Sequence, residues 1–245
     1  MRLLLGELVR FVRANRFYLK TVSGVDSPYG WDVVKRHASE GRIKLVDALY
    51  LAALLREKRP ATVLEIGSFL GFSAYWILET SLPWNAKVTA VDPNIRHRVF
   101  DSPRSVVERL NNSFDKRITI ESAFLGVYGE GVYYDYDHYE PKKGHDEVDN
   151  LLSQIPSFKE IEKRFDFIFI DGDHSYRATM ENFRICVKSL NPGGTIVFHD
   201  AITWPDVGHV LFDLKKEFGS SANIRILGRS VPRLCDGLGV FQLNG

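Results

Sequence analysis

Length, composition and charge place this chain among ordinary globular proteins. It has 245 residues, of which 44% are hydrophobic and 26% charged, and 32 Lys and Arg against 31 Asp and Glu give a net charge of +1. These values exclude a disordered, collagen-like or coiled-coil chain and allow one full hydrophobic core. A near-neutral chain has no electrostatic reason to bind nucleic acid, so we expect no nucleic-acid partner.

Cysteine use and hydropathy indicate the compartment. Cys186 and Cys235 are the two cysteines, and they form no CxxC or Cys/His pattern, which excludes a disulfide framework and a zinc site of the usual spacing. No apolar run approaches the roughly 18 to 20 residues that span a bilayer. Glu7 and Arg10 interrupt the N-terminal stretch before it can form a signal-peptide core. We therefore expect a cytoplasmic protein that is neither secreted nor integral to a membrane.

Residues 1–59 are predicted to form an N-terminal helical lead-in. Apolar residues at helical spacing alternate with arginines from Met1 to Tyr18, which predicts a basic amphipathic helix. We expect this helix to pack on the main domain or to form a homodimer contact; peripheral attachment to an anionic membrane surface is the less favoured alternative. A second helix is predicted between Ile43 and Lys58, where a run of helix formers ends in basic residues before Pro60.

Residues 60–245 show the alternation of a doubly wound α/β domain. Short β-branched runs alternate with amphipathic segments, which is typical of βαβ units and a mostly parallel, Rossmann-like sheet. The predicted strands are Thr62 to Ile66, Lys87 to Asp92, Arg117 to Glu121, Phe165 to Asp171, Gly194 to His199, Asn223 to Leu227 and Gly239 to Leu243. The predicted helices are Ser73 to Thr80, Pro103 to Asn111, Tyr176 to Leu190 and Pro205 to Phe218.

Residues 124–164 do not fit this alternation and are predicted to be an insertion. A connection with one helix needs fewer residues. The insertion is acidic and carries five tyrosines and two histidines: Tyr128, Tyr133, Tyr134, Tyr136, Tyr139, His138 and His145. Long loops at the carboxyl ends of strands commonly line binding sites, so we interpret it as a substrate lid rather than a structural excursion.

The segment VLEIGSFLGFSA, residues 63–74, is the strongest local signal. Gly67 permits a tight turn and close approach to a ligand, and Gly71 stands where the chain enters a helix. Phe69 occupies the middle position of a GxGxxG pattern, which disfavours a pyrophosphate on this turn. Asp92 ends the next strand, where a carboxylate accepts hydrogen bonds from ribose hydroxyls; the alternative is a solvated turn acid before Pro93.

Two further segments, FDFIFIDGDHSY and NPGGTIVFHDA, place acids and histidines at the ends of buried strands. The carboxyl ends of parallel strands share one edge of a sheet, so these side chains can converge there. Carboxylates and imidazoles in one crevice indicate a divalent cation. The residues concerned are Asp171, Asp173, His174, His199 and Asp200. The alternatives are helix caps for Asp171 and Asp200, and hydrogen-bonded histidines at the edge of the core for His174 and His199.

In order and spacing, these motifs and VTAVDP resemble the class I S-adenosylmethionine-dependent methyltransferases. They are most similar to metal-dependent small-molecule O-methyltransferases such as catechol O-methyltransferase and the macrolide-sugar enzymes. The resemblance runs from Ala61 to Asp200 and implies a seven-stranded sheet with an antiparallel last strand. It also implies S-adenosylmethionine as cofactor, held by Glu65, Gly67, Ser68, Gly71, Ser73, Asp92 and Ser122.

The resemblance further implies individual roles. Glu65, Gly67 and Ser68 lie along the methionine part of the cofactor, Ser73 holds its carboxylate, Asp92 binds the ribose and Ser122 lies near the adenine. Asp171, His199 and Asp200 occupy the places of metal ligands, and His174 stands where a general base is found. His199 departs from an all-carboxylate magnesium site, since imidazole suits manganese, iron or zinc better. Three possibilities stay open: His199 is not a ligand, the metal is not magnesium, or His174 works without a metal.

The predicted function is O-methylation of a hydroxyl on a small molecule, such as a sugar or polyhydroxylated natural product, with assistance from Mg²⁺ or Mn²⁺. One rival is an NAD-dependent oxidoreductase, which shares the sheet and the acid on the second strand but requires the missing glycine fingerprint. The other is a non-catalytic protein that keeps the fold for assembly or membrane attachment.

Overall fold

Nine strands and seven helices are found in the part of the chain that the computed structural model describes. This part comprises residues 2–25, 27–95, 99–127, 150 and 152–244, with side chains from residue 5 onward. The strands are β1 Thr62–Ile66, β2 Lys87–Asp92, β3 Ile118–Ser122, β4 Phe124–Leu125, β5 Ser157–Phe158, β6 Phe165–Ile170, β7 Leu190–Phe198, β8 Ala222–Leu227 and β9 Leu238–Leu243. The helices are α1 Arg2–Ser23, α2 Trp31–Glu40, α3 Leu45–Lys58, α4 Phe72–Thr80, α5 Pro103–Asn111, α6 Tyr176–Cys186 and α7 Pro205–Phe218.

Seven of the strands form one sheet in the order β3-β2-β1-β6-β7-β9-β8. The pairs from β3 to β7 are parallel, and β9 is antiparallel to both of its neighbours. The expected doubly wound, mostly parallel sheet with an antiparallel last strand is confirmed. Since β1 lies between β2 and β6, chain order reverses on either side of β1, and the carboxyl ends of β1 and β6 meet at that point.

Within the α/β domain, the largest differences from the predicted boundaries are at β7 and α6. Strand β7 begins at Leu190, four residues before Gly194, and its pairing with β6 is irregular between Phe165 and Phe167. Helix α6 ends at Cys186, and a 3₁₀ turn over Val187–Ser189 completes the segment that we expected to be α-helical.

The N-terminal helices cover one face of the sheet. Helix α1 runs five residues beyond the predicted end at Tyr18, and α2 is a helix that the sequence did not predict. The ring of Phe11 meets that of Trp76 edge to face, with centroids 5.6 Å apart, and Trp76 Nε1 donates to Ala48 O at 2.8 Å. Helices α1 and α3 therefore share one hydrophobic core with α4 and the sheet.

Helices α6 and α7 cover the opposite face. Phe183 of α6 packs edge to face on Phe241 of β9, with ring centroids 4.9 Å apart, and Phe218 of α7 contacts the same ring. The sheet is thus buried on both sides, which explains why its strands are apolar throughout. None of the described helices combines the length and the hydropathy that crossing a membrane requires.

The two ends of the insertion are held together. Strands β4 and β5 pair in parallel, with Phe124 N donating to Pro156 O and Gly126 N to Phe158 O, both at 2.8 Å. The expected lid comprises residues 124–164. Its tyrosines and histidines fall on residues 128–149, which lie outside the described residues.

Candidate functional site

The turn after β1 requires glycine at position 67. Gly67 has φ of +81°, and a Cβ on it would lie 2.2 Å from Asp171 O and 2.6 Å from Gly172 Cα. These are backbone atoms at the end of β6, and they cannot yield as a flexible side chain would. The expected tight turn is therefore present, and it brings the end of β1 against the end of β6.

Gly71 is the residue from which α4 starts. It precedes Phe72, the first residue of the helix, and has φ of +78°. The backbone N–H groups of the first turn of α4, which includes the buried Ser73, have no partner within the helix. This is a position suited to an anionic or polar ligand.

Glu65 and Ser68 carry buried polar atoms that have no hydrogen-bond partner among the described residues. Glu65 is fully buried at the end of β1, and neither of its carboxyl oxygens forms a hydrogen bond; the hydroxyl of Ser68 is in the same state. Burial raises the pKa of Glu65 to about 8. The Ser73 hydroxyl, which lies close to the carboxyl without forming a hydrogen bond of standard geometry, opposes this shift, and the nearby Asp171 and Asp92 carboxylates reinforce it. Such unsatisfied groups are rare in folded proteins and indicate a place for a polar ligand.

Asp92 holds the glycine turn in place. Its carboxylate accepts the backbone N–H of Phe69 at 2.8 Å and that of Asn94 at 2.7 Å. Both donors have positive φ, so these hydrogen bonds stabilise an otherwise disfavoured backbone. Asp92 is thus more than a solvated turn acid, and its role toward a ribose stays a prediction.

Ser122 lies beside Asp92 on the neighbouring strand. Its hydroxyl accepts from Arg104 Nη1 at 2.8 Å and from Asn94 Nδ2 at 3.2 Å. Arg104 also binds Glu108, with Nε 2.7 Å from Oε1. The sequence analysis missed Arg104, which places a cation at the expected adenine position; no pattern in the sequence singles it out among the exposed arginines.

Four of the five acids and histidines predicted to converge do so between β6 and β7. His199 Nδ1 lies 2.9 Å from Asp171 Oδ1 and 3.3 Å from Asp200 Oδ2. His174 Nε2 lies 2.9 Å from the same Asp200 oxygen and 3.8 Å from Asp171 Oδ1. We call these four residues the acid–histidine cluster.

Asp173 does not join the cluster, which corrects the expectation of five converging residues. Its Oδ1 accepts the backbone N–H of Ser175 at 2.8 Å, and its carbonyl accepts the hydroxyl of Thr179. Asp173 thus shapes the start of α6, where Ser175 is the N-cap. The sequence analysis assigned no such role to Asp173.

The acid–histidine cluster holds its protons tightly. Burial alone would lower the pKa of His174, but the Asp171 and Asp200 carboxylates outweigh it and raise the pKa to about 9. Burial opposes the charge on His199 too, and Asp171 raises its pKa nonetheless. Burial would raise the pKa of both carboxyls, yet the two imidazoles keep them low. At neutral pH the cluster therefore consists of two imidazolium and two carboxylate groups.

The ligand set predicted for a cation is present as a compact group. Asp171, His199 and Asp200 each offer one ligand atom, and these atoms lie within 4.8 Å of one another. Asp200 has φ of +58°, a strained backbone of the kind that gathers at functional sites. The residues fit a divalent cation of the manganese, iron or zinc type, because they combine imidazole with carboxylate oxygens.

Asp47 of α3 is a site residue that the sequence analysis missed. It is fully buried, and its Oδ2 lies 3.9 Å from His199 Nε2. Its two oxygens also accept the backbone N–H groups of Asp236 and Gly237, at 2.7 and 3.0 Å. An N-terminal helix therefore faces the back of the cluster. The available signal was a lone acid inside the apolar run IKLVDALYLAALL.

Trp204 is a third site residue, after Arg104 and Asp47, that the sequence analysis missed. Its ring stacks on His174, with centroids 4.9 Å apart and planes 14° from parallel, while 49% of the residue remains exposed. An aromatic residue that covers a cluster of charges and faces solvent is suited to contact a ring-shaped ligand.

The comparison with protein families identifies the family of this chain. Residues 64–201 match a family described as a methyltransferase domain, and this stretch is more than half of the chain. The chain belongs to this methyltransferase family. The resemblance to class I methyltransferases is thereby confirmed, and the matched residues hold the glycine turn, Asp92 and the acid–histidine cluster.

A curated relative of this methyltransferase is an uncharacterized protein of Acanthamoeba polyphaga mimivirus. The two are 26% identical over 148 residues, which are 59% of this chain and 53% of the viral protein. The chain thus spans about half the length of the curated relative that it matches.

Solved structures share the fold at low identity. An O-methyltransferase from Bacillus cereus in complex with SAH is 16% identical with a TM-score of 0.55, covering 92% of this chain and 96% of that one. An SAH-bound methyltransferase from Podospora anserina is 14% identical with a TM-score of 0.52, over 95% and 96% of the two chains. An O-methyltransferase of tomaymycin synthesis from Streptomyces achromogenes, in complex with SAM, is 16% identical with a TM-score of 0.51, over 81% and 80%.

Proposed function

We propose that this methyltransferase transfers the methyl group of S-adenosylmethionine to a hydroxyl oxygen of a small molecule. The observation that carries the proposal is the unpartnered, buried state of the Glu65 carboxyl and the Ser68 hydroxyl beside the Gly67 turn. Leaving such groups unsatisfied costs about 1–3 kcal/mol each. The ammonium and carboxylate of a methionine moiety offer them partners, and Asp92 lies one strand away for a ribose. The SAH- and SAM-bound relatives support this cofactor.

The acceptor hydroxyl would lie at the acid–histidine cluster, under the exposed ring of Trp204. A planar or sugar ring that stacks on Trp204 places its hydroxyl beside His174 and the carboxylates. The carboxylates disfavour a strongly anionic acceptor. We therefore propose a sugar or a polyhydroxylated natural product, and no nucleic acid, as the substrate class.

The chemistry needs alignment more than acid catalysis. The acceptor oxygen attacks the methyl carbon, the carbon–sulfur bond breaks, its electrons leave with the sulfur, and the hydroxyl proton passes to a base. His174 is the base that we propose. Its pKa of about 9 means that it carries a proton at neutral pH in the described cluster, so the fraction in which it is neutral increases as the pH approaches 9.

Divalent metal assistance is part of the proposal. Asp171, His199 and Asp200 would hold the cation, and it would supply Lewis-acid chemistry that lowers the pKa of the acceptor hydroxyl. The imidazole in this set favours Mn²⁺ over Mg²⁺. A cation would also take over the electrostatic role that the two imidazolium protons have in the described structure.

Two observations bear on compartment and on the oxidoreductase alternative. Cys186 and Cys235 are buried free thiols, as expected in the reducing cytoplasm, where we propose that the protein works. Phe69 stands at the middle glycine position with its side chain packed on Phe100, the ring centroids being 5.7 Å apart. A bulky residue at this position is unlike a dinucleotide-binding turn.

Calorimetric titration of the purified chain with S-adenosylhomocysteine and with NAD tests the cofactor. We expect binding of S-adenosylhomocysteine alone, and its loss by at least tenfold in Glu65→Gln above pH 8, where the native carboxyl is ionised. Glu57→Gln makes the same chemical change at an exposed site on α3 and should bind as the native protein does. Binding of NAD with no binding of S-adenosylhomocysteine would refute the proposal.

Methyl transfer to a panel of catechols, polyhydroxylated aromatics and sugars, with Mn²⁺, Mg²⁺ or chelator, tests the acceptor and the metal. We expect turnover of a ring-shaped acceptor that is highest with Mn²⁺. Trp204→Ala should raise KM about tenfold, and Trp204→Phe should restore most of it because stacking is kept. Full activity in chelator would remove the metal from the proposal and leave His174.

A further inference from the structure

Helix α1 has a second apolar face that the described residues leave exposed. Its inward face packs on the core, where Ala14, Tyr18 and Val22 are buried. Its outward face nonetheless exposes large aliphatic side chains over the first turns that the structure describes. They are Leu5, Leu8, Val9 and Val12, exposed to between 41% and 62%. Contiguous exposed apolar residues of this kind mark interaction sites.

The same outward face is basic in its second half. Arg13, Arg16 and Lys20 follow the apolar residues, and all three are exposed. Glu7 is the one acid of α1, and it is taken up by an ion pair with Arg56 of α3. We call the four apolar and three basic residues together the α1 ridge, and the ridge itself contains no acid.

A shallow depression beside the ridge adds a concave element. It has a volume of about 470 Å³ and is lined by Leu5, Gly6, Val9, Arg10, Arg13 and Glu79. Its one acid, Glu79, is compensated, since Arg10 Nε lies 3.9 Å from Glu79 Oε1. The depression is therefore apolar with an excess of positive charge, contributed by Arg13.

We propose that the α1 ridge docks this protein on an anionic lipid surface. Aliphatic side chains next to cations, with no opposing acid, are the composition of a helix that lies in the membrane interface. A second copy of this chain fits the ridge less well, because the ridge contains no acid and Glu7 is paired with Arg56, so a two-fold contact between two ridges would leave their cations without opposite charges. The positive charge of the ridge therefore favours binding to anionic lipid headgroups over formation of a homodimer. This inference is independent of the methyl-transfer reaction.

Flotation of the full-length protein with lipid vesicles tests the proposal. We expect binding to phosphatidylcholine vesicles that contain phosphatidylserine, and little binding to vesicles of phosphatidylcholine alone. Each cation near an anionic surface strengthens binding about fivefold, so Arg13→Glu with Arg16→Glu should weaken it by at least about 25-fold. Leu5→Ser with Val9→Ser should weaken it by about tenfold or more. Salt should weaken the native interaction as well.

Matched controls lie on the opposite face of the sheet. Phe212 of α7 is 58% exposed, and Lys216 Nζ lies 4.0 Å from the centroid of its ring. Phe212→Ser with Lys216→Glu therefore removes an exposed apolar group and reverses a charge outside the ridge, and it should leave vesicle binding unchanged. Thermal melting checks that every variant is folded.

Three results would overturn the proposal. The first is no binding of the native protein to the anionic vesicles at low salt. The second is equal binding to neutral and anionic vesicles, or an equal loss in the α7 control. The third is a dimer in sedimentation that the Leu5→Ser, Val9→Ser variant converts to a monomer, which would assign the ridge to a second copy.

Discussion

The two halves of the site differ in how their charges are compensated, although each contains buried polar atoms without a hydrogen bond of standard geometry, His174 Nε2 and His199 Nε2 being those of the second half. On the side of β1, the Glu65 carboxyl and the Ser68 hydroxyl are buried without partners. On the side of β6 and β7, two carboxylates and two imidazoles neutralise one another at distances as short as 2.9 Å. The first half is incomplete without a ligand, whereas the second is electrically complete with its own protons.

This difference sets how each half responds to its proposed ligand. A cofactor that enters the β1 side adds hydrogen bonds to groups that had none, so it gains affinity from relief of unsatisfied polarity. A cation that enters the acid–histidine cluster must replace protons that the cluster already holds. Predictions that separate the two halves therefore change one side and measure both.

The largest expected effect comes from Gly67→Ala, which breaks the junction of the two halves. A Cβ would stand 2.2 Å from Asp171 O in a backbone that has φ of +81°, so the ends of β1 and β6 must separate. We expect loss of S-adenosylhomocysteine binding by more than about 100-fold and destabilisation by several kcal/mol, measured by calorimetry and denaturant unfolding.

Gly193→Ala is the matched control for this substitution. Gly193 has φ of +74°, but a Cβ there meets no atom within 4 Å. Alanine at this position would cost about 1–2 kcal/mol for the left-handed backbone and would cause no steric clash. The Gly193→Ala variant should therefore bind S-adenosylhomocysteine as the native protein does. Equal effects of the two substitutions would mean that backbone strain rather than the close approach matters at position 67.

His174→Gln should affect the second half alone. We expect turnover to fall by about 10²–10⁴-fold, because a general base is removed, while the affinity for S-adenosylhomocysteine stays within about twofold. Steady-state kinetics and calorimetry measure the two quantities. Retained turnover would assign the chemistry to alignment without His174.

Asp47→Asn tests whether an N-terminal helix contributes to the reaction. The Asp47 carboxylate lies behind His199 Nε2. An amide keeps its size and removes that charge, but it also places an NH2 donor against one of the two backbone N–H groups that the carboxylate accepts, so some loss of stability is expected as well. Loss of such an outer partner typically costs about 10–100-fold in activity or metal affinity. We expect kcat to fall in this range with KM unchanged, measured on protein whose melting shows that it is folded. A change in stability alone would make Asp47 purely structural.

A further prediction concerns the pH dependence of cofactor binding. The pKa of Glu65 is raised from 4.5 to about 8 by burial, so the free protein is protonated there at neutral pH. A bound ammonium requires the carboxylate, and its binding releases a proton. Affinity should therefore rise by up to about tenfold per pH unit between pH 6 and 8 and then level off.

The stability of the unliganded protein should change in the other direction. Because the folded protein binds this proton more tightly than the unfolded chain does, the contribution of Glu65 to the free energy of unfolding falls as the pH rises from 4.5 towards 8. Glu65→Gln should remove both slopes. Binding that is flat from pH 6 to 8 in the native protein would place the ammonium elsewhere.

The sequence predicted the parts of this molecule that local patterns encode. The seven strands of the main sheet, the Gly67 turn and the convergence of Asp171 with Asp200 all follow from apolar runs that end in glycines and acids. Helix α2 was missed because it is short and its apolar positions are few, and it is held by burial of Val34 and Ala38 against other elements. Tertiary packing decides such helices.

The missed site residues share a different cause. Asp47 reaches the acid–histidine cluster from α3, well before the motifs in sequence, and Trp204 reaches it from the turn before α7, three residues beyond the end of NPGGTIVFHDA. Only the folded arrangement shows that Asp47 faces His199 or that Trp204 stacks on His174. Asp173 shows the converse, because its position in IDGDHSY resembles that of its neighbours while its carboxylate binds the helix start.

The pairing of β4 with β5 has a consequence for the chain between them. Because Gly126 and Phe158 are already joined by a backbone hydrogen bond, the chain between them begins and ends at one place on the scaffold. Its length and composition can therefore change without altering the sheet, the cofactor turn or the acid–histidine cluster. A segment of different length could therefore be joined to β4 and β5 at the same two points of the scaffold.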